Sequence, residues 1–241
     1  MVHRRAIPPR TEIQALPACA PVRRFRSRRD GGRAAGLTTP LPPLAAALSD
    51  AARRYAFERS RPVAGSAFAR FFRNDLAHMG RALIASRAEP LLVRASTGAP
   101  GWASVPWLAF FAPQVTRSMR HGLYVVFFIN AQSERIVLSL QHGAADALTA
   151  LGPEQGRAHL RQMAAATQRA AGLGHGFSHA PISLGSSAAL PLGYEAGCAL
   201  SRSWAADAPH LSLLEADLTQ MLDLYRDLVP AASLGPAMPR S

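Results

Sequence analysis

No lysine occurs anywhere in the 241 residues, so all 27 basic side chains are arginine. A phosphate-binding P-loop places a lysine on the β- and γ-phosphates, and a nuclease centre built on two acids and a lysine needs one as well. Neither chemistry is present in its usual form. Cysteine is almost as scarce: Cys19 and Cys198 make neither a disulfide framework nor a zinc site, which takes about four ligands, and they fit a reducing cytoplasm. No run of about 18 uninterrupted apolar residues occurs, and the stretch from Leu123 to Ile129 is only strand length, so a membrane-spanning helix is excluded and a soluble protein expected. There is also no internal repeat, no Gly-x-Ser-x-Gly nucleophile elbow and no histidine pair at helical spacing beside a glutamate.

What is present is a chain 49% apolar and 17% charged, enough for one core and one main domain. The arginine excess accompanies abundant alanine, glycine and proline, which is the pattern of a high-GC coding bias. It is equally compatible with nucleic-acid binding, because arginine suits bidentate phosphate and guanine contacts. Residues 1–40 hold nine arginines and two acids, a net of +7 that leaves +5 for the other 201 residues. A block of that composition cannot bury enough surface to offset ordering, so it reads as a disordered basic tail that attracts phosphates nonspecifically. Two rival readings are a misassigned start and a twin-arginine export signal at Ser27-Arg28-Arg29. Pro40, Pro42 and Pro43 interrupt the apolar region that such a signal needs.

The domain proper is expected over 41–231, with a short second tail over 232–241. Leu44, Leu48, Ala52 and Tyr55 stripe a first helix. Phe68, Phe72, Leu76, Met79 and Leu83 stripe a second, capped by Ser66, with Arg53, Arg54, Arg70 and Arg73 on solvated faces. Strands follow near Leu91–Ser96, Val105–Ala112, Leu123–Asn130 and Arg135–Gln141, the last two forming a hairpin. Both faces of the third are apolar, which predicts a central strand covered on both sides. A helix is expected from Pro153 to Gly172, a long loop over Gly172–Gly193, and a strand-like run over Tyr194–Trp204. A last helix starts at the capping box Ser212–Glu215, with Leu214, Leu218, Met221 or Leu222 and Tyr225 inward and Pro230 stopping it. The fold class is α+β (α/β), a single domain with a mixed central sheet of four to five strands flanked by helices.

The scattered histidines leave His175 and His179, in the glycine-rich loop, as the nearest approach to a ligand cluster, and a surface loop explains them as well. The acids Asp207, Glu215, Asp217, Asp223 and Asp227 belong to the last helix and its approach, where capping and solvation account for them. Neither a catalytic centre, a metal nor a cofactor is expected. Core packing accounts for Phe110, Phe111, Phe127 and Val126. Tyr124 and Phe128 share a strand face and Trp107 lies on the neighbouring strand, so these three rings also suit a slot that holds a base removed from the duplex stack.

Three runs carry a resemblance: Gly101-Trp102-Ala103-Ser104-Val105-Pro106-Trp107-Leu108-Ala109-Phe110, then Gly122 to Phe128, then Ile136 to Gly143. They resemble the N-terminal DNA-binding domain of the McrB family, the specificity subunits of methylcytosine-dependent restriction systems. Gly193-Tyr194, Cys198 to Ser201 and Leu222 to Tyr225 look like the same domain's closing elements, so coverage runs from about 44 to 230. The resemblance implies an α/β body that reads modified cytosine by flipping the base into a pocket, in bacterial restriction and phage defence. The GTPase motor that follows this domain in the family is missing here, so a separate GTPase or nuclease subunit is an implied partner beside double-stranded, methylated DNA, with no membrane. By position, Trp107 and Tyr124 match the pocket aromatics, and Phe128 stands where a smaller aliphatic residue sits. Gly98, Ala99, Gly101 and Trp102 form the neighbouring loop, where the small Ala99 leaves a wedge role unfilled. Arg94, Arg117 and Arg120 flank the site as candidate phosphate contacts. Ordinary surface arginines, a protein-interaction module and a small-ligand sensor remain open beside this reading.

Overall fold

A computed structural model of the chain describes residues 43–232; the stretch read as a tail over 1–40 lies outside it, as does the one read over 232–241 apart from Ala232, which ends the last helix. Five strands run side by side in chain order, each antiparallel to the next: β1 (Leu92–Ser96), β2 (Trp107–Phe111), β3 (Leu123–Asn130), β4 (Arg135–His142) and β5 (Cys198–Ala205). The expected five-stranded, helix-flanked α+β body is therefore present, but its sheet is not mixed. The one long connection, from β4 to β5, could have served a parallel crossover; it instead returns the chain antiparallel after two helices, α4 (Ala145–Ala171) and α5 (Ala189–Gly197).

All eight residues of β3 are buried, as two apolar faces require. Leu123, Val125, Phe127 and Ile129 pack into one cluster with α1 (Pro43–Arg59), a helical run over 67–83 and α6 (Leu214–Ala232). Tyr124, Val126 and Phe128 pack into the other, with Leu160 of α4 and Tyr194 of α5. Fully burying one such side chain contributes about 1.5–3 kcal/mol, so this strand anchors both layers.

The run over 67–83 comprises α2 (Ala67–Phe71), a π-helical turn (Phe72–Leu76) and α3 (Ala77–Leu83); the Ser66 side chain accepts from the Ala69 amide as its N-cap. The capping box at the last helix is reassigned. A 3-10 turn (Pro209–Leu213) precedes α6, and the Glu215 carboxylate accepts from the Leu44 amide at 2.8 Å, so it caps α1 and not its own helix. Further, α6 continues to Ala232, past Pro230. Pro153 does begin a helical segment, but a turn at Gly152 (φ 76°) joins it to an earlier one starting at Ala145. The expected loop to Gly193 holds α5, and Tyr194 belongs to that helix instead of to the last strand.

Candidate nucleic-acid interface

Register fixes which side chains share a face. Trp107 stands opposite Phe128 on β3 and opposite Ser96 on β1, while Arg94 pairs with Ala109. Arg94, Ser96, Trp107, Ala109, Tyr124 and Phe128 therefore lie on the sheet face that α4 and α5 cover. That cover rests on β4 and β5 and gives out toward the β1 edge, so Trp107 is half-buried and Arg94 exposed.

The three pocket aromatics share a face, but they form no open slot: Trp107 stands opposite Phe128, and Tyr124 lies four residues along β3 from that pair. Tyr124 and Phe128 are each 0% exposed. The Phe128 ring lies 5.0 Å from the Tyr194 ring, centroid to centroid, and Tyr124 packs 5.2 Å from Phe111. The Tyr124 hydroxyl donates to the Met119 carbonyl at 3.2 Å. Burial pushes the Tyr124 phenol well above its ordinary value and pushes Tyr194 up to about 12, so both stay neutral. The expectation of a solvent-open slot at Tyr124 and Phe128 is thus corrected, because α5 sets Tyr194 over Phe128. Only Trp107 of the three keeps a solvent-facing part.

The loop after β1 divides its residues between the two sides of the sheet. Trp102 packs on the α1 side, its indole N–H donating to the Arg61 carbonyl at 2.7 Å and its ring edge-on to Tyr55 at 5.7 Å, so it does not share the face of Trp107. Gly98 has φ +98°, and a Cβ there would lie 2.4 Å from the Ala103 nitrogen and the Gly101 oxygen; the turn requires glycine. Gly98 and Ala99 line a surface concavity, and Gly101 is exposed.

The flanking arginines differ in what they have left to offer. An Arg94 guanidinium nitrogen donates to the Arg117 carbonyl at 3.2 Å, bringing the exposed Arg117 beside it. Arg120 is 2.7 Å from Asp146, which also holds His121 at 3.0 Å, so a carboxylate already offsets its charge. Residues 90–133 contain no aspartate or glutamate, which leaves Arg94 and Arg117 without an acid on their own strands and loops. Two arginines read as solvated, Arg70 and Arg73, line the Gly98–Ala99 concavity. Their i, i+3 spacing behind the Ser66 cap was the available signal.

Elsewhere, the His175 and His179 rings stack at 5.3 Å with their Nε2 atoms 3.3 Å apart, and the Nδ1 of His175 accepts from the Phe177 amide. Among the described residues, no group of three or more histidine, cysteine or acidic side chains stands together to hold a metal ion. Nor is any described helix long and apolar enough to cross a membrane.

Residues 51–230 match the family model described as MrcB-like, N-terminal domain. No curated protein matches the chain.

Proposed function

Because the chain belongs to the MrcB-like N-terminal domain family, whose membership supports a DNA-binding module of a restriction system, we propose that it binds duplex DNA without catalysis of its own. The modified base would be read where Trp107 meets solvent. The observation that carries this reading is the pairing, on one open stretch of sheet face, of a part-exposed indole with the exposed Arg94, beside which the acid-free loop after β2 places the exposed Arg117. Guanidinium groups suit phosphate oxygens, and an indole face suits a stacked base.

A methylated cytosine flipped from the helix would stack on Trp107. Phe128, opposite Trp107 in the strand register and packed on Tyr194, would close the floor, while Tyr124, four residues along β3 against Phe111, would take no part in holding the base. Seating the base any deeper needs the Phe128–Tyr194 pair to part. In the cytoplasm such a reader would serve restriction or phage defence by delivering a GTPase or nuclease partner to marked DNA.

The sealed rings favour a second reading from another class, a protein-interaction or small-ligand module of a defence system that no longer reads DNA. The two separate in a titration of matched duplexes, unmodified and carrying 5-methyl or 5-hydroxymethyl cytosine, at a fixed salt concentration. Preferential binding of a modified duplex, weakened by about 1–3 kcal/mol in Trp107→Ala as for loss of a stacking ring, supports base reading. Equal binding of all duplexes, insensitive to Trp107→Ala, leaves DNA binding without base reading; no binding of any duplex favours the second reading.

A further inference from the structure

Between the helical run over 67–83 and the loop that leaves β1 lies a concavity of about 440 Å³, which none of the residues discussed for base reading beyond Gly98 and Ala99 enters. Ser66, Arg70, Arg73 and Asn74 line one side of it, Gly98, Ala99 and Pro100 the other, and no acid is among the lining residues. We propose that this concavity is a phosphodiester groove in which Arg70 and Arg73 grip the backbone of duplex DNA beside the Trp107 surface. The assignment rests on the DNA-binding reading above and extends it to residues on a different layer of the fold.

Three features support it. The Nε of Arg73 donates to the Thr97 hydroxyl at 3.3 Å, and Thr97 is fully buried, so the guanidinium is held over the groove while its two terminal nitrogens have no hydrogen-bond or ion-pair partner among the described residues. A fork pinned by one nitrogen and open at the other two is arranged to meet two phosphate oxygens, and loses less side-chain freedom on doing so than an unanchored arginine would. Arg70, one turn away and exposed, adds a second charge that forms no ion pair among the described residues. Second, Arg73 and Asn74 sit in the π-helical turn Phe72–Leu76, the kind of helix irregularity found most often at functional sites. Third, each lip carries a glycine turn, Gly65 (φ +73°) and Gly98 (φ +98°), which leaves the rim without a side chain at those two points.

The groove also has the right address. Ser96, the last residue of β1, pairs with Trp107, so the loop that forms one wall leaves the sheet at the end where the indole lies. A duplex laid across that end would present phosphates to the groove and a base to the ring. With these two arginines included, the contact surface spans both the α1 side and the α5 side of the sheet, which a reading limited to Arg94 and Arg117 does not.

The test is fluorescence anisotropy of the full chain with one unmodified duplex across a salt series, comparing wild type, Arg70→Gln/Arg73→Gln, and the charge-matched pair Arg161→Gln/Arg169→Gln on α4. Leaving two phosphates without their arginines should cost about tenfold or more in affinity at 0.1 M salt and shallow the log–log salt slope by about 2, with the α4 pair close to wild type. Thermal melting checks that both doubles fold. A groove double that binds as wild type does, or an α4 double that weakens as much, overturns the groove while leaving DNA binding intact. A wild type that binds no duplex overturns the DNA reading itself, and the groove with it.

Discussion

Tyr124 separates support from recognition at the scale of one residue. Its hydroxyl is buried and spends its proton on the Met119 carbonyl, so Tyr124→Phe should lower stability by about 1 kcal/mol, the net worth of a buried hydrogen bond, and leave duplex affinity unchanged. Urea unfolding followed with the same preparation used for DNA titration checks both halves. A folded Tyr124→Phe protein without discrimination between duplexes would place the hydroxyl in base contact instead. The sequence made this residue look like a reader because its strand spacing puts it on one face with Phe128, and that part was legible. Which face is open was not. The cover on that face is supplied by Leu160, Leu184 and Tyr194, and nothing local to Tyr124 announces that they return to it. Arg70 and Arg73 illustrate the converse. On a helix taken alone they are solvated charges, and only the loop from β1 folding opposite them makes a concave, acid-free surface.

At the scale of elements, legibility followed periodicity. Alternation placed β3 between the same bounds in sequence and structure, and the stripes of Leu44, Leu48, Ala52 and Tyr55 and of Leu214, Leu218 and Tyr225 are all buried. α5 was not legible because it carries Pro191, Gly193 and Gly197, residues that weaken helices and read as loop. The structure supplies their reason. A Cβ on Gly193 would lie 2.7 Å from Leu148 and 3.0 Å from Ala144, and one on Gly197 would lie 2.9 Å from the His142 carbonyl and from the Gln141 side chain. These glycines trade helix propensity for close approach, letting α5 press against α4 and β4, and it is that approach which lays Tyr194 on Phe128. Gly197→Ala should therefore cost about 1–3 kcal/mol, as overpacking of a tight contact does, and should loosen the Phe128–Tyr194 pair. Denaturant unfolding measures the first effect. Tyrosine quenching or hydrogen exchange at 189–198 measures the second. Stability within about 0.5 kcal/mol of wild type, the range of an ordinary surface change, would show that α5 does not press on β4 closely enough to exclude a methyl group.

At the scale of the molecule, the distribution of charge predicts different work for different stretches if the chain binds DNA as proposed. Of the formal net charge of +12, +7 falls in residues 1–40, outside the described body, and the remainder spread over 201 residues leaves the body only moderately basic. Charge concentrated in a segment with no apolar period contributes to binding through counterion release, which depends on phosphate spacing and not on base identity. On the proposed reading, Trp107 and Arg94 instead hold defined places on the sheet, with Arg117 beside Arg94 on the loop after β2, and a defined place is the condition for distinguishing one base from another. Deleting residues 1–40 should then weaken every duplex by the same factor and flatten the salt slope by about 0.9 for each phosphate that the segment neutralised, while the ratio of modified to unmodified affinity stays where it was. The measurement is a pair of salt series, full chain against the deletion, on matched duplexes. A changed ratio would mean that the basic segment takes part in base reading. An unchanged slope would mean that it touches no phosphate, and the attraction would have to come from the body's own arginines, the groove pair Arg70 and Arg73 foremost among them.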